Sequence, residues 1–302
     1  MTVHPQISLA ELPDSSQTHV DFLDSTWFRT HGQTRELPAP EDVRRLAKLQ
    51  KTTLYPVRFE DLGLVVKFGS HISVLEAISL WAVRRVFRDR VPVPEVYAWR
   101  VVERKGRTPE VFIYMQLVQG PTLQQRWASL DGAEKLSISS ELRDMVDCFR
   151  GLRDGEAEQV IGSLCHGPAP DRCLEDLPQL KPFPARSVFH DWLSWLWRRH
   201  VPDPQSIEDW WRDLLPDNGP IVFTHGDLRP ANIIVTATTP AKVVAILDWE
   251  QAGWYPDYWE YCKARYTASY GGEWHGHIDQ FLEPHTVPLE AFDFYTCTLG
   301  KF

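Results

Sequence analysis

The sequence predicts an α+β fold in two lobes, a small lobe rich in strands followed by a larger helical lobe. Two observations favour it. Short apolar runs with strand-like alternation surround a single strong helix before residue 118, and helical periodicity dominates after residue 119. Between them, Gly120 and Pro121 interrupt regular structure and suit a hinge. We therefore divide the chain into an N-terminal arm (1–40), an N-lobe (41–118) and a C-lobe (119–302).

The arm and the N-lobe differ in their patterns. The arm is polar and interrupted by prolines, which predicts extended chain with one short helix over residues 20–29. Helices are predicted over residues 41–49 and 74–87, the second because Leu75, Ile78 and Ala82 recur at helical spacing. The predicted strands are residues 57–59, 64–68, 96–102 and 111–117.

The C-lobe is predicted to be mostly helical. Apolar runs at residues 233–235 and 243–247 flank a turn that contains Pro240, which predicts a hairpin. Residues 155–185 are rich in glycine, proline, cysteine and acids, and they are long for a passive connection. The predicted helices cover residues 123–129, 132–153, 187–200, 206–214, 257–270 and 273–282.

Composition narrows the classes of function. The chain of 302 residues carries a net charge of −9, which argues against nucleic-acid binding and is compatible with a cationic or neutral small substrate. Its 5 cysteines are odd in number and scattered, so we predict no disulfide framework and no thiolate zinc site, and a reducing cytosolic setting. No secretory signal and no membrane-spanning apolar run is visible. The oligomeric state is not predicted.

Two motifs at the ends of the predicted hairpin carry the chemistry. The first runs from Thr224 to Val235 as Thr-His-Gly-Asp-Leu-Arg-Pro-Ala-Asn-Ile-Ile-Val, and the second is Ile-Leu-Asp-Trp-Glu. A hairpin would bring Asn232 and Asp248 together, since each lies at the outer end of its strand. Phosphoryl transfer needs a carboxylate at the attacking hydroxyl, here Asp227, and hard oxygen ligands for magnesium, here Asn232 and Asp248.

The pair of motifs, His-Gly-Asp-x-x-x-x-Asn followed by Ile-x-Asp-Trp-Glu, resembles the aminoglycoside phosphotransferase and choline kinase group of enzymes, especially its fungal members. The resemblance covers residues 62–267. It implies a protein kinase-like fold, ATP and Mg²⁺ as cofactors, and Asp227 as the general base. It also implies that residues 155–185 hold elements that bind the substrate.

The resemblance places the nucleotide in the N-lobe. Lys67 alternates with apolar neighbours on its strand, so its side chain should face the cleft. In the resembled fold this lysine binds the α- and β-phosphates and pairs with a helix glutamate, for which Glu76 is the candidate. Met115, Gln116 and Val118 are expected to line the adenine pocket.

Five further residues near the motifs are assigned more loosely. His225 is expected to brace the loop through backbone hydrogen bonds. Glu250 faces the substrate or a neighbouring group of the site, or it is a solvated or ion-paired carboxylate. Arg229 pairs with an acid, with a phosphate or with nothing. Trp254 and Tyr255 are candidates to contact the substrate, because aromatic faces stack on sugars and cations.

One feature of nucleotide-binding kinases is missing, since no glycine-rich loop precedes Lys67. We expect an ATP- and Mg²⁺-dependent phosphotransferase acting on a hydroxyl of a small metabolite or antibiotic, with amine-bearing compounds among the candidates. The missing loop leaves two alternatives open. One is a non-catalytic nucleotide or metabolite binder, and the other is an enzyme that performs ATP-independent chemistry on a small molecule.

Overall fold

The computed structural model describes residues 4–50, 56–156, 158–175, 177–179, 181–269 and 271–301. Parts of the predicted arm and of both predicted lobes lie outside these ranges. They are residues 1–3 of the arm, residues 51–55 of the N-lobe, and in the C-lobe three positions within the segment 155–185, Tyr270 at the end of a predicted helix, and Phe302.

The N-lobe is an antiparallel sheet flanked by helices. Among the described residues the sheet has five strands in the order β2-β5-β6-β4-β3. The predicted strands and helices are present, and a short edge strand is added. The elements up to the hinge are β1 (Gln6–Ile7), β2 (His19–Asp21), α1 (Thr26–His31), α2 (Pro40–Leu49), β3 (Val57–Phe59), β4 (Leu64–Gly69), α3 (Val74–Phe87), β5 (Val96–Arg104) and β6 (Arg107–Gln116).

Alternation along β4 decides where the lysine points. Leu64 and Val66 are fully buried and pack with Trp27, Phe28 and other residues of α1 and α2 on one face of the sheet. Lys67 lies on the opposite face, since successive side chains of a strand point to opposite sides. That face packs against α3 and meets the C-lobe, so the strand pattern delivers a charged group to the space between the lobes.

The C-lobe is built from helices around short sheets. Its elements are α4 (Leu123–Arg126), α5 (Gly132–Arg150), β7 (Arg153–Asp154), β8 (Gly162–Ser163), α6 (Arg186–Arg198), β9 (Ile221–Thr224), β10 (Ile233–Val235), β11 (Val243–Ile246), β12 (Gly253–Pro256), α7 (Trp259–Thr267), α8 (Glu273–Phe281) and α9 (Thr286–Thr298). The sequence did not predict β7, β8, β9, β12 or α9. Within the described ranges, no helix has both the length and the apolar character needed to cross a membrane.

The helix predicted over residues 206–214 is wrong. The chain forms separate 3₁₀ turns at Pro204–Ser206 and Arg212–Leu214. The Asp209 carboxylate accepts hydrogen bonds from Trp197 Nε1 of α6 at 3.1 Å and from the Tyr295 hydroxyl of α9 at 2.8 Å. These tertiary contacts hold the segment between two helices and override its local helical pattern.

The N-terminal arm, which was predicted as extended chain with one short helix, contacts both lobes. Strand β1 pairs in parallel with β7, which directly follows α5 in the C-lobe. Strand β2 pairs with β5 at the edge of the N-lobe sheet. The predicted helix over residues 20–29 is displaced to Thr26–His31, because residues 19–21 are used as strand. The arm therefore belongs to the folded body.

Candidate active site

The hairpin of β10 and β11 brings the two motifs together, as their spacing predicted. Ile233 pairs with Ile246 in antiparallel register. The pairing continues one step further, where the Leu247 amide donates to the Asn232 carbonyl at 2.7 Å. Asn232 and Asp248 therefore leave the same end of the hairpin.

The loop before the hairpin is held by its own histidine. The Asp227 amide donates to His225 Nδ1 at 3.0 Å, and His225 Nε2 lies 2.9 Å from the Leu247 carbonyl, to which it donates in the tautomer that this network requires. Burial lowers the pKa of His225, which favours that neutral form. His225 thus forms the bracing backbone contacts expected of it.

A glycine is required next to that histidine. Gly226 has a φ of +79°, and a Cβ at this position would lie 3.0 Å from the Gln251 carbonyl oxygen. Any larger residue would combine a left-handed backbone with a close contact to the second motif. The Gly-Asp step therefore lets the loop before the hairpin pack directly on the turn after Asp248.

The sequence did not identify the acid that binds the backbone of the loop before the hairpin. Glu260 of α7 is fully buried, and it accepts hydrogen bonds from the amides of His225 at 2.6 Å and Gly226 at 3.1 Å. Burial raises its pKa, and His225 and these amides partly offset the rise. Its only signal in the sequence was an acid between the aromatic residues Trp259 and Tyr261 on a helix.

Asp227 is the carboxylate nearest the cleft in this loop. Its Oδ2 accepts from Asn232 Nδ2 at 2.8 Å and lies 3.2 Å from Arg229 Nε. Its Oδ1 has no partner in the described part of the chain. Burial raises the pKa of Asp227, the Arg229 charge opposes this rise, and Asp248 adds to it. One oxygen is thus fixed and the other is open to a ligand.

Lys67 links the lobes through three carboxylates. Its Nζ lies 2.8 Å from Glu76 Oε2, 2.5 Å from Asp248 Oδ1 and 2.8 Å from Glu250 Oε2. The predicted ion pair with Glu76 is therefore present. Burial acts to lower the pKa of Lys67, but the three carboxylates outweigh it and raise the pKa above its ordinary value. Burial raises the pKa of Glu76, which Lys67 partly offsets.

The turn at Asp248 directs one side chain into the core and the side chains on either side of it into the site. Asp248 has a φ of +65° and a ψ of +56°, a left-handed conformation that aspartate tolerates better than most residues. The next residue, Trp249, is fully buried, and its Nε1 donates to the Ile246 carbonyl at 3.1 Å. Trp249 anchors the turn in the core while Asp248 and Glu250 reach Lys67.

Oxygen atoms suited to a divalent cation surround this turn. Glu76, Asp248 and Glu250 each offer an oxygen atom within 4.8 Å of the others. Asp248 Oδ2 has no protein partner among the described residues, and Asn232 commits its amide nitrogen to Asp227, which leaves its Oδ1 unengaged. Carboxylate and amide oxygens are the ligands Mg²⁺ prefers, so these residues fit the expected metal.

Two arginines complete the ion network. Arg172 Nη2 contacts Glu250 Oε1, so Glu250 is an ion-paired carboxylate bound on both oxygens. Arg229 lies within ion-pair distance of Asp227, which is the first of the alternatives that its position left open. Arg172 was not predicted individually, although it lies in the segment 155–185 that was expected to hold substrate-binding elements.

Comparison with known proteins decides the family. A sequence model of the phosphotransferase enzyme family matches residues 42–283, most of the chain. The chain belongs to this family. A search of curated proteins finds no match.

A solved structure with a TM-score of 0.50 supports the two-lobed fold, and two others resemble the chain at lower scores. Aminoglycoside phosphotransferase APH(4)-Ia superposes with a TM-score of 0.50 at 15% identity, covering 79% of this chain and 76% of that chain. The GDP complex of aminoglycoside 2'-phosphotransferase-IIIa gives 0.47 at 14% identity, with 84% and 88% coverage. The gentamicin complex of APH(2")-IIa gives 0.47 at 13% identity, with 86% of each chain covered. At such identities the likeness concerns the fold alone.

In this member of the phosphotransferase family, the residues expected around adenine lie where the N-lobe ends. Met115 and Gln116 are the last residues of β6, and Val118 follows in the hinge. The turn that stands in place of a glycine-rich loop is tight, with a 3₁₀ turn at Glu60–Leu62 closed by Gly63 in a left-handed conformation. The Gly63 carbonyl accepts from the Leu117 amide at 2.9 Å, which ties this turn to the hinge.

The expectation that Trp254 and Tyr255 contact the substrate is wrong. Both lie on β12, the central strand of the sheet β8-β12-β9, and are 2% and 0% exposed. Trp254 packs edge-on against Phe223, and Tyr255 stacks on Trp259 with ring centroids 5.5 Å apart. Their burial in the C-lobe core leaves no surface for a ligand.

Proposed function

We propose that this protein is an ATP- and Mg²⁺-dependent phosphotransferase that moves the γ-phosphate to a hydroxyl of a small metabolite or antibiotic. One observation carries the proposal. Lys67, bound to Glu76 and Asp248, lies in the same cleft as Asp227, whose Oδ1 is open. Phosphoryl transfer requires a cationic side chain for the phosphates, ligands for the metal ion and a base for the acceptor hydroxyl. Membership of the phosphotransferase family supports the same conclusion.

The nucleotide is assigned to the N-lobe side of the cleft. Lys67 is placed to bind the α- and β-phosphates, and its raised pKa keeps it cationic at all physiological pH values. Glu76, 2% exposed on α3, fixes the direction of the lysine. The side chain of Met115 and the backbone of Gln116 and Val118 are assigned to the adenine ring.

Asn232 and Asp248 are assigned to hold Mg²⁺ through their unengaged oxygen atoms. When bound, the metal ion neutralises charge on the phosphate oxygens. Asn232 also fixes the position of the base, since its amide nitrogen donates to both the carboxylate and the carbonyl of Asp227, at 2.8 and 2.9 Å. A single side chain thereby couples the position of the metal ligand to the position of the base.

The chemical step follows from Asp227. The acceptor oxygen attacks the γ-phosphorus, the bond from that phosphorus to the β–γ bridging oxygen breaks, and ADP leaves. The hydroxyl proton passes to Asp227 Oδ1, late in a loose transition state. Asn232 and Arg229 hold Oδ2 and thus orient Oδ1 toward the acceptor. The raised pKa of Asp227 makes it a stronger base than an exposed aspartate.

The experiment is an ATP-consumption screen over hydroxylated metabolites, amino sugars, amino alcohols and nucleosides, followed by Asp227→Asn with the best acceptor. The amide keeps the shape of the side chain and removes the proton acceptor. We expect kcat to fall about 10²–10⁴-fold with Mg-ATP affinity unchanged. Asp42→Asn, at a half-buried surface position on α2, is the matched control. Near wild-type kcat in Asp227→Asn would refute the assignment of the base.

The tight turn at Glu60–Gly63 keeps two alternatives, a kinase-like protein that binds a nucleotide or metabolite without catalysis, and one that performs ATP-independent chemistry on a small molecule. Thermal shift separates these cases, because a ligand that binds the native state raises Tm by mass action. A shift by ATP that requires Mg²⁺ supports the phosphotransferase. A shift without turnover in the screen supports a binder, and no shift supports ATP-independent chemistry.

A further inference from the structure

Two arginines at the acceptor side of the cleft have hydrogen-bond donors that the protein does not use. Arg172 and Arg229 have side chains that are 56% and 41% exposed, and each contacts one site carboxylate. A guanidinium carries five N–H donors. Among the described residues, the Arg172 side chain uses only Nη2, on Glu250. Arg229 Nε lies near Asp227, but it forms no hydrogen bond to it, and no other side-chain donor of Arg229 has a partner in the described part of the chain.

The backbone of Arg172 is fixed by a buried polar network. Its amide donates to Gln251 Oε1 at 2.9 Å, and Lys263 Nζ donates to the same oxygen at 3.0 Å. Lys263 also lies 2.8 Å from Asp171 Oδ1, and these two side chains are 2% and 0% exposed. The phosphotransfer chemistry does not use this network. Its effect is to hold the exposed guanidinium at the mouth of the site.

Arg229 is fixed equally well from the catalytic loop. Its amide donates to the Asp227 carbonyl at 3.0 Å, and its carbonyl accepts from the Asn232 amide at 2.9 Å. Pro230 follows and restricts the backbone further. The two guanidinium groups therefore approach the site carboxylates from different elements, one from the segment after β8 and one from the loop before β10.

The balance of donors and acceptors at this place favours an anion. Both oxygens of Glu250 are occupied, by Lys67 and Arg172, and Asp227 has one oxygen left, which the acceptor hydroxyl would use. An ammonium group would find few free acceptors and two nearby cations. An oxyanion would find the unused N–H donors of two guanidinium groups, which match carboxylate and phosphate geometry.

We propose that Arg172 and Arg229 bind a carboxylate or phosphate group of the acceptor, so that the substrate is an anionic hydroxyl compound rather than an amine. The assignment rests on the proposed phosphotransfer at Asp227, since that step defines the acceptor side of the cleft. It differs from the cationic or neutral substrate with which the net charge of −9 is compatible, because the local charge around the base differs from that of the whole chain.

The test follows the two guanidinium groups directly by NMR. Protein labelled with ¹⁵N-arginine is titrated with acetate, inorganic phosphate or tetramethylammonium chloride at constant ionic strength, first alone and then with Mg-AMP-PNP. The Arg172→Gln and Arg229→Gln variants assign the two Nε–Hε signals. Arg45→Gln serves as the matched control, since Arg45 is 75% exposed and pairs only with Asp42 on α2.

We expect acetate or phosphate, but not the chloride salt, to shift both signals to saturation. Either site variant should weaken that binding roughly 10- to 150-fold, as expected for hydrogen bonds to a charged group, and Arg45→Gln should leave it unchanged. Preference for acetate identifies a carboxylate substrate, and preference for phosphate identifies a phosphorylated one.

Two results would overturn the proposal: no saturable shift by either anion, or shifts produced by Mg-AMP-PNP that later anions cannot change, which would assign the arginines to the nucleotide. Anion binding without any Mg-AMP-PNP binding would leave the arginine site standing and would count against the ATP-dependent function instead.

Discussion

Replacement of Lys263 by methionine tests the buried network behind Arg172. Methionine keeps much of the length of the side chain and removes its charge. Lys263 Nζ lies 2.8 Å from Asp171 Oδ1, and the Asp171 side chain is fully buried. Burial acts to lower the pKa of Lys263, and Asp171 outweighs it, so the lysine stays charged in the folded protein. Lys263→Met would leave the Asp171 carboxylate buried without its counter-charge.

The magnitude follows from the contacts that remain. Removal of one partner of a buried ion pair costs about 3–5 kcal/mol. Asp171 keeps hydrogen bonds from Trp259 Nε1 and from the Cys173 amide, each at 2.8 Å. These bonds still stabilise the carboxylate, so we expect the lower end, about 3 kcal/mol. For a chain of this length that loss corresponds to a Tm lowered by about 5 °C.

Urea denaturation of four proteins measures the effect: wild type, Lys263→Met, Asp171→Asn and the double variant. Lys242→Met, at an exposed position, is the control and should stay within about 0.5 kcal/mol of wild type. The double variant should lose less stability than the sum of the single losses, because it leaves no unpaired charge. A Lys263→Met variant as stable as the control, or strictly additive losses, would refute the reasoning.

Three further predictions concern the nucleotide site and pH. Asp248→Asn and Asn232→Ala should each weaken Mg²⁺-dependent nucleotide binding, and unchanged affinity of both variants in calorimetry would contradict their role as ligands. Lys67→Ala should lower nucleotide affinity about tenfold or more with an unaltered circular dichroism spectrum, whereas the exposed-site variant Lys48→Ala should bind normally. Burial lowers the pKa of His190 to about 4. As the pH falls, the unfolded chain therefore binds a proton at this histidine before the folded chain does. The free energy of unfolding should fall by up to about 3 kcal/mol between pH 6.5 and 4. His190→Gln should remove this loss, and denaturation at several pH values would detect it.

Local patterns were enough to predict the N-lobe and the hairpin. Lys67 alternates with buried residues on one strand, which predicted that its side chain faces the cleft, whereas Glu76 was expected as its partner from the resemblance to the family. The register of β10 and β11 followed from two apolar runs and the turn between them. In each case, a period of 2 or 3.6 residues sets which side chains share a face. The elements that make these contacts follow one another closely in the chain, and this order already restricts how they can pair.

The remaining features depend on contacts distant in sequence. Arg172 reaches Glu250 only because the segment after β8 folds back over the second motif, and Glu260 reaches His225 from a later helix. Trp254 and Tyr255 follow the metal motif closely in sequence, yet β12 carries them into the core. Proximity along the chain is a poor guide to proximity in the site once a new strand begins. The pairing of β12 between β8 and β9 decided their burial.

The N-terminal strands have a practical consequence for any shortened version of this protein. The region matched by the family begins at residue 42, so a cut at that boundary would remove β1 and β2 together. Strand β5 would then form the edge of the N-lobe sheet. Its backbone groups that now pair with His19–Asp21 would be left without partners. Long uncovered strand edges recruit other chains. A fragment that begins at residue 42 should therefore aggregate, whereas the chain that keeps its first 22 residues, and with them β1 and β2, should stay dispersed.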